Sequence, residues 1–194
     1  MHFLPAPVDS ELFKIKNRKK AREKLSLNKV KKIMLYAGRI SYLKCSDILK
    51  DLIIKNPDIQ FILIGRMMDP NIKNLNVKNI IYFEKKSSEE LVDYYNASDL
   101  GFYMTRSGGG MGITAEELLS CGVPVIIPNN FELPEAEGIY QAPYDSDKVN
   151  QIVRNFFNLE KTEREKLRKK TRKFIEENFS YNALKEAYID AHLK

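Results

Sequence analysis

Histidine and cysteine are scarce in this sequence, and the first exclusions follow from that. The two histidines, His2 and His192, lie at opposite ends of the 194-residue chain, so no credible Cys–His or Ser–His catalytic pair is available. The two cysteines, Cys45 and Cys121, supply no disulfide framework and fit a reducing compartment. No Cys or His spacing matches zinc. Long hydrophobic runs are also missing. Runs such as Gly122 to Pro128 fall far short of the roughly 20 apolar residues that cross a bilayer as a helix. The opening MHFLPAPVDS has no basic stretch followed by an apolar core, so no signal peptide is expected and the expected location is cytoplasmic. There is no internal repeat and no low-complexity tract. What remains is a composition of 43% hydrophobic and 30% charged residues, as in a globular domain. The length suits one domain with a proper core and is short for two.

Charge is present but unevenly spread. Residues 14–32 carry ten Lys or Arg against one Glu, and residues 161–173 carry eight basic against two acidic residues. The rest of the chain, whose overall charge is +6, is therefore net acidic. Two basic segments on an acidic body suit phosphates, nucleic acid or an anionic membrane surface, or they are solvated helix faces. Leu167, Phe174 and Ile175 fit one apolar stripe, which favours the helix-face reading for the second segment.

Short apolar, β-branched runs alternate with amphipathic stretches. Strands are expected over Lys32–Ala37, Gln60–Ile64, Asn79–Phe83, Leu100–Met104 and Pro124–Ile127, with a short sixth near Ile139. Helices are expected around Arg18–Leu25, over Ser46–Ile54 with Ser46 as the cap, over Ser88–Asn96 behind a capped Ser87-Ser88-Glu89-Glu90 turn, over Ile113–Ser120, and from Asp145 onward, ending with Tyr181–His192. The pattern is that of an α/β fold: a parallel sheet of about six strands with helices on both faces. Such sheets bind ligands outside the carboxyl ends of their strands. That edge would carry the loops Gly38–Lys44, Gly65–Pro70 and Thr105–Gly112.

The strongest local signal is the turn Ser107-Gly108-Gly109-Gly110-Met111-Gly112, placed between a strand and a helix. Glycines let backbone approach a ligand, and the helix start offers free N–H groups and a positive dipole end, which together cradle phosphate. Gly110 to Ala115 also matches the G-x-G-x-x-A fingerprint, although it follows the fourth strand rather than the first. A turn needed only for packing is the competing reading. Glu117 would accept hydrogen bonds from ribose hydroxyls or merely favour the helix N-terminus. Arg39 and Lys44 either reach a diphosphate or are ordinary surface charges. Tyr94, Tyr95, Phe102 and Tyr103 read as core packing rather than a base-stacking platform.

Those residues, taken together, resemble the carboxyl-terminal, donor-binding domain of a family 4 (group 1) glycosyltransferase with the GT-B fold. Tyr36-Ala37-Gly38-Arg39-Ile40 followed by Lys44 is similar to that family's "GR(L/I)…K" loop. Gly110-Met111-Gly112-Ile113, Glu117 and Cys121-Gly122-Val123-Pro124-Val125 resemble its "E-G-F-G-(I/L)-x-x-x-E-A-x-A-C-G-x-P-V" block, and Leu133-Pro134-Glu135 its later "(I/V)-P-E". Pro7 to Phe13 is similar to the interdomain "G-V-D-x-x-x-F" segment and Glu177 to Tyr181 to the "x-x-F-S-W" element. The resemblance covers nearly the whole chain.

The resemblance implies a single Rossmann-like domain, one half of a GT-B fold. It implies a linker over residues 1–15, a nucleotide-sugar-binding domain over 16–180 and a C-terminal helix over 181–194. Arg39, Lys44 and the backbone of Gly110, Met111, Gly112 and Ile113 would hold the diphosphate of a UDP- or GDP-sugar. Glu117 would hold the ribose, and Phe83 and Glu84 would flank the base. Sugar transfer would retain the anomeric configuration, with no metal and no other cofactor. Gly109 stands where the family has the first Glu of its pair, which contacts the donor sugar; Cys45 replaces the glycine after the lysine, and Phe131-Glu132 the paired glycines. The implied partner is an amino-terminal acceptor-binding domain or a separate chain, and without it little transfer is expected. A degenerate, non-catalytic nucleotide-binding or interaction module of the same fold is the alternative. Contact with a membrane face is a further option for the basic segments, and nucleic acid is the least expected partner.

Overall fold

A computed structural model describes residues 5–108, 110–131, 133 and 135–192. Six strands, β1 (Lys32–Ala37), β2 (Ile59–Ile64), β3 (Ile80–Phe83), β4 (Leu100–Phe102), β5 (Val125–Pro128) and β6 (Ile139–Ala142), form one sheet in the order β3-β2-β1-β4-β5-β6. Every pairing is parallel. Eight helices accompany them among the described residues: α1 (Arg18–Lys24), α2 (Ser46–Lys55), α3 (Pro70–Lys73), α4 (Ser88–Ala97), α5 (Ile113–Ser120), α6 (Ser146–Asn158), α7 (Lys161–Asn178) and α8 (Tyr181–His192). This is the doubly wound, Rossmann-like arrangement expected of the alternating pattern.

The period of two along each strand divides the core. Ile33, Leu35, Ile62 and Ile64 face α4, α5 and α7, where Val92, Tyr95, Leu118, Leu119 and Ile175 meet them. Met34, Tyr36, Phe61 and Leu63 face α2 and α6, meeting Ile48, Leu49, Leu52, Val149, Val153 and Phe156. Tyr94, Tyr95 and Phe102 are buried in these layers, and Tyr103 packs against the first from a half-buried position.

Several elements differ from expectation. Strand β4 ends at Phe102 rather than Met104, because the chain there leaves the sheet to cross its carboxyl edge. Ser46 does not cap α2. A 3-10 turn over Tyr42–Lys44 delivers the chain through Cys45, which is left-handed (φ 53°) and is the N-cap residue. The Ser46 hydroxyl instead donates to Asp69 Oδ2 at 2.5 Å. Cys45 thus occupies, at a steric cost, a conformation that favours glycine. The Ser87 turn does form a capping box with Glu90.

The amino-terminal lead-in contains no helix or strand among its described residues, yet it is fastened to the body. Val8 N–H donates to Phe179 O at 2.9 Å, and Phe13 is buried against Tyr95 with ring centroids 5.9 Å apart.

The basic segments are only partly solvated faces. Arg22 is buried; it donates to Ala97 O (2.8 Å), to Lys29 O and Lys31 O, and to Asp99 Oδ2 (2.8 Å). Arg168 reaches Asn96 Oδ1, and Arg172 donates to Phe13 O and Ser120 Oγ. These arginines tie α1 and α7 into the fold. The exposed remainder includes Lys19, Lys20, Lys161, Lys166 and Lys169.

Candidate functional site

In a sheet of this order the topological switch point lies between β1 and β4, and ligands bind at the carboxyl ends of the strands beside it. Two of the three loops singled out from the sequence, those after β1 and β4, emerge there. The chain leaves β1 through Gly38, whose N–H donates to Ile64 O at 2.8 Å. It passes close to Gly65 at the end of β2, where a Cβ would lie 2.0 Å from Gly38 O. Only glycine permits that approach, which fixes the start of the loop.

Arg39 follows, exposed at the rim. Its carbonyl accepts from the Tyr36 hydroxyl at 2.5 Å. Its guanidinium makes no hydrogen bond or ion pair with the described residues. Lys44 is half-buried. Its Nζ donates to the Thr105 hydroxyl at 3.0 Å and sits 5.9 Å from the centre of the Tyr103 ring. No carboxylate of the described residues lies within 4.0 Å of it.

The facing wall is the start of α5. Its N-cap is Gly112, which has no side chain to accept from the first-turn N–H groups. A Cβ on Gly112 would come 2.1 Å from the Tyr103 hydroxyl, so the ring lies directly against the turn. Tyr36, Ala37, Gly38, Lys44, Tyr103, Met104, Ile113 and Thr114 line one notch of about 150 Å³. Of the other turn residues, Gly110 is half-buried and Met111 is buried in the core. Thus Gly38, Lys44 and the tip of α5 converge, with Arg39 beside them. Gly109 lies outside the described residues.

Glu116 and Glu117 both stand on α5 and are handled differently. Glu117 Oε2 accepts from the buried Tyr95 hydroxyl at 2.9 Å. Burial raises its pKa and the Tyr95 hydrogen bond partly opposes that. Tyr95 therefore orients Glu117 from within the core. Glu116 is 0% exposed, and neither carboxyl oxygen has a hydrogen-bond partner. Burial, reinforced by the neighbouring Glu117, pushes its pKa up to about 8. The motif spacing singles out Glu117, and nothing in the sequence marks Glu116 as the buried, unpartnered carboxyl.

Phe83 and Glu84 lie at the end of β3. The Phe83 ring packs on Tyr94 at 5.1 Å and is covered by Lys86, 4.6 Å from its centre. Glu84 is exposed just beyond. Sequence reasoning passed over Thr105 and Arg106. Thr105 holds Lys44, and Arg106 ties together three loops of this edge. An Arg in a turn carries no local signature of its distant partners.

A family model described as "Glycosyl transferases group 1" matches residues 17–174. The chain belongs to that family. Among curated proteins, the group 1 glycosyltransferase chain is similar to a D-inositol 3-phosphate glycosyltransferase of Mycobacterium sp. (strain KMS), 28% identical over 155 residues, 73% of this chain and 35% of that one. Among solved structures, a sucrose-phosphate synthase from Thermosynechococcus elongatus superposes with a TM-score of 0.80 at 21% identity, covering 99% of this chain and 52% of that one. Anabaena HepE, in complex with UDP and glucose, superposes with a TM-score of 0.80 at 15% identity, covering 97% and 55%. These likenesses show the fold, that of one half of a GT-B glycosyltransferase. The group 1 chain spans about a third of the length of the curated relatives it matches and about half of these structures.

Proposed function

We propose that this chain is the donor-binding domain of a retaining glycosyltransferase and holds the nucleoside diphosphate of a UDP- or GDP-sugar. One observation carries the reading: the Lys44 ammonium is half-buried beside the start of α5, with a neutral hydroxyl as its hydrogen-bond partner and no carboxylate of the described residues within 4.0 Å. A cation left uncompensated in such a place favours an anionic ligand. HepE, with UDP in its complex, supports a uracil nucleotide as the first candidate.

In this reading Lys44 and the first-turn N–H groups of α5 bind the diphosphate, and Arg39 closes over it from the rim. Charge that builds on the leaving nucleoside diphosphate meets donors already in place, which is where such sites lower a barrier. The protein supplies this neutralisation without a resident metal. Glu117, oriented by Tyr95, accepts from the ribose hydroxyls, and Phe83 and Glu84 flank the base. Gly109, outside the described residues, stands where the family resemblance places the Glu that contacts the donor sugar.

The same edge exposes Tyr42, Leu43, Met68, Ile113 and Tyr144. An apolar rim around a phosphate notch suits closure against an acceptor-binding domain, which would exclude water and align the two substrates. Transfer by this chain alone is accordingly expected to be slight.

Isothermal calorimetry with UDP, GDP and ADP tests the reading. UDP or GDP should bind in the micromolar-to-millimolar range; failure of all three at millimolar concentration rejects it. The proposal extends to the lysines on the opposite side of the molecule. Among the described residues no helix is long and apolar enough to cross a membrane. Lys19 and Lys20 are exposed on α1 and Lys161, Lys166 and Lys169 on α7, and the Arg18–Glu165 pair at 2.9 Å joins those two helices. Their peripheral contact with anionic lipid predicts sedimentation with phosphatidylserine vesicles at low salt. Equal recovery with neutral vesicles dismisses it.

A further inference from the structure

Arg106 lies in the segment that leaves β4 and crosses the carboxyl edge. Its guanidinium is bidentate to Asp47 in the first turn of α2, at 2.8 and 2.9 Å. It also donates to Tyr42 O at 2.7 Å. Its Cζ lies over the Tyr42 ring, 4.2 Å from the centre, and 5.5 Å from the centre of the Tyr144 ring. Its own N–H donates to Leu43 O at 2.9 Å. One side chain thus joins the loop after β1, the segment after β4 and the loop after β6.

The residue so held in place is the next one back. Thr105 O accepts from the Tyr144 hydroxyl at 2.7 Å, and Thr105 Oγ1 lies 2.8 Å from Ser107 O. Thr105 Oγ1 is also the acceptor of Lys44 Nζ. We infer that Arg106 is a positioning residue for Lys44: by clamping Tyr42, Asp47 and Tyr144 it fixes Thr105, and Thr105 holds the Lys44 ammonium over the notch. This deepens the donor-binding reading and rests on it for its effect on nucleotide.

The geometry explains why the clamp uses arginine. A planar fork that pairs in two bonds while stacking on an aromatic face is beyond the reach of a lysine ammonium. Arg106 keeps the Asp47 carboxyl below the usual range even though burial pulls the other way. The guanidinium is committed to Asp47 and Tyr42 O, so its service to a ligand is indirect. A freely rotating Lys44 would lose rotamer entropy on binding; one already docked on Thr105 loses less.

Two measurements on the whole chain test the inference. In the first, UDP is titrated into the unaltered protein, Arg106→Lys, Arg106→Ala, Lys44→Ala and the double variant Lys44→Ala/Arg106→Ala. Arg106→Lys and Arg106→Ala should each weaken binding about tenfold, whereas Arg106→Ala should add less than about twofold once Lys44 is gone. A tenfold loss that persists in the Lys44→Ala background means direct contact of Arg106 with nucleotide and overturns the positioning role. In the second, without nucleotide, lysine acetylation by acetic anhydride is read by mass spectrometry in the unaltered protein, Arg106→Ala and Asp47→Asn. Both variants should accelerate acetylation of Lys44 several-fold while Lys19 and Lys166 are unchanged. An unchanged Lys44 rate overturns the clamp even if UDP binds. If UDP fails to bind the unaltered protein but Lys44 accelerates, the donor reading falls and the clamp stands.

Discussion

Glu116→Gln should stabilise the protein by a few kcal/mol at pH 9 and by little at pH 4.5. The carboxyl is fully buried, its oxygens lack partners, and its pKa is raised from 4.5 to about 8. Placement near a helix N-terminus favours the charged form by about 0.3–1 kcal/mol. Desolvation of a buried carboxylate costs several kcal/mol, so burial wins and the folded protein keeps this proton at neutral pH. The unfolded chain releases it near pH 4.5. Between that value and about pH 8 the folded state therefore binds more protons, and stability falls as pH rises. One proton contributes about 1.4 kcal/mol per pH unit across that window, an upper bound of about 5 kcal/mol, which relaxation of the site would reduce to roughly 2–4 kcal/mol. Glutamine has the same shape and cannot ionise, so the pH-dependent part disappears. Urea unfolding of both proteins from pH 4.5 to 9 measures it. The gap should open across the window and correspond at pH 9 to about 5–10 °C in Tm for a chain of this size. Parallel curves would show that Glu116 ionises normally.

That carboxyl also marks where sequence reading stopped. The strands were legible because KIMLYA, QFILI and PVII are compact apolar runs between turn residues, and a parallel sheet covered on both faces demands such runs. The capped start of α4 was legible because Ser87 and Glu90 satisfy each other within one turn. The notch was legible in outline, since glycines at a strand-to-helix junction carry a local reason to be there. Other features are set by partners far away in the chain. Glu116 and Glu117 are adjacent and alike in sequence; only the packing of Tyr95 and the sheet separates a hydrogen-bonded carboxylate from an unpartnered one. Arg22, Arg168 and Arg172 read as charge, while the fold uses them as crosslinks to carbonyls and to Asp99. Arg106 finds Tyr42 in the loop after β1, Asp47 in the first turn of α2 and Tyr144 in the loop after β6. Ser46 satisfied a local capping rule, but the left-handed Cys45 turned the chain so that its hydroxyl met Asp69 instead.

Lys44→Ala should weaken the nucleotide that binds best by about 10- to 150-fold. Two opposing magnitudes set that range. A unit charge about 4 Å from a phosphate oxygen near a protein surface gains roughly 4 kcal/mol at an effective dielectric near 20. Binding must strip the remaining water from the ammonium, while one of its three donors stays on Thr105, leaving the 1.5–3 kcal/mol typical of a charge-assisted hydrogen bond. Lys44 is half-buried before any ligand arrives, so part of its desolvation belongs to folding and does not oppose binding. Arg39 is exposed at the rim; screening and side-chain entropy hold such a contact to about 0–1 kcal/mol, so Arg39→Ala should weaken binding at most about fivefold. Lys44→Arg should rescue only partly, because a planar fork cannot occupy the point position between Thr105 Oγ1 and the start of α5. Calorimetric dissociation constants for the three variants decide the matter. An order in which Arg39 outweighs Lys44 would move the diphosphate out of the notch to the rim, and an unchanged constant for Lys44→Ala would remove that lysine from the site.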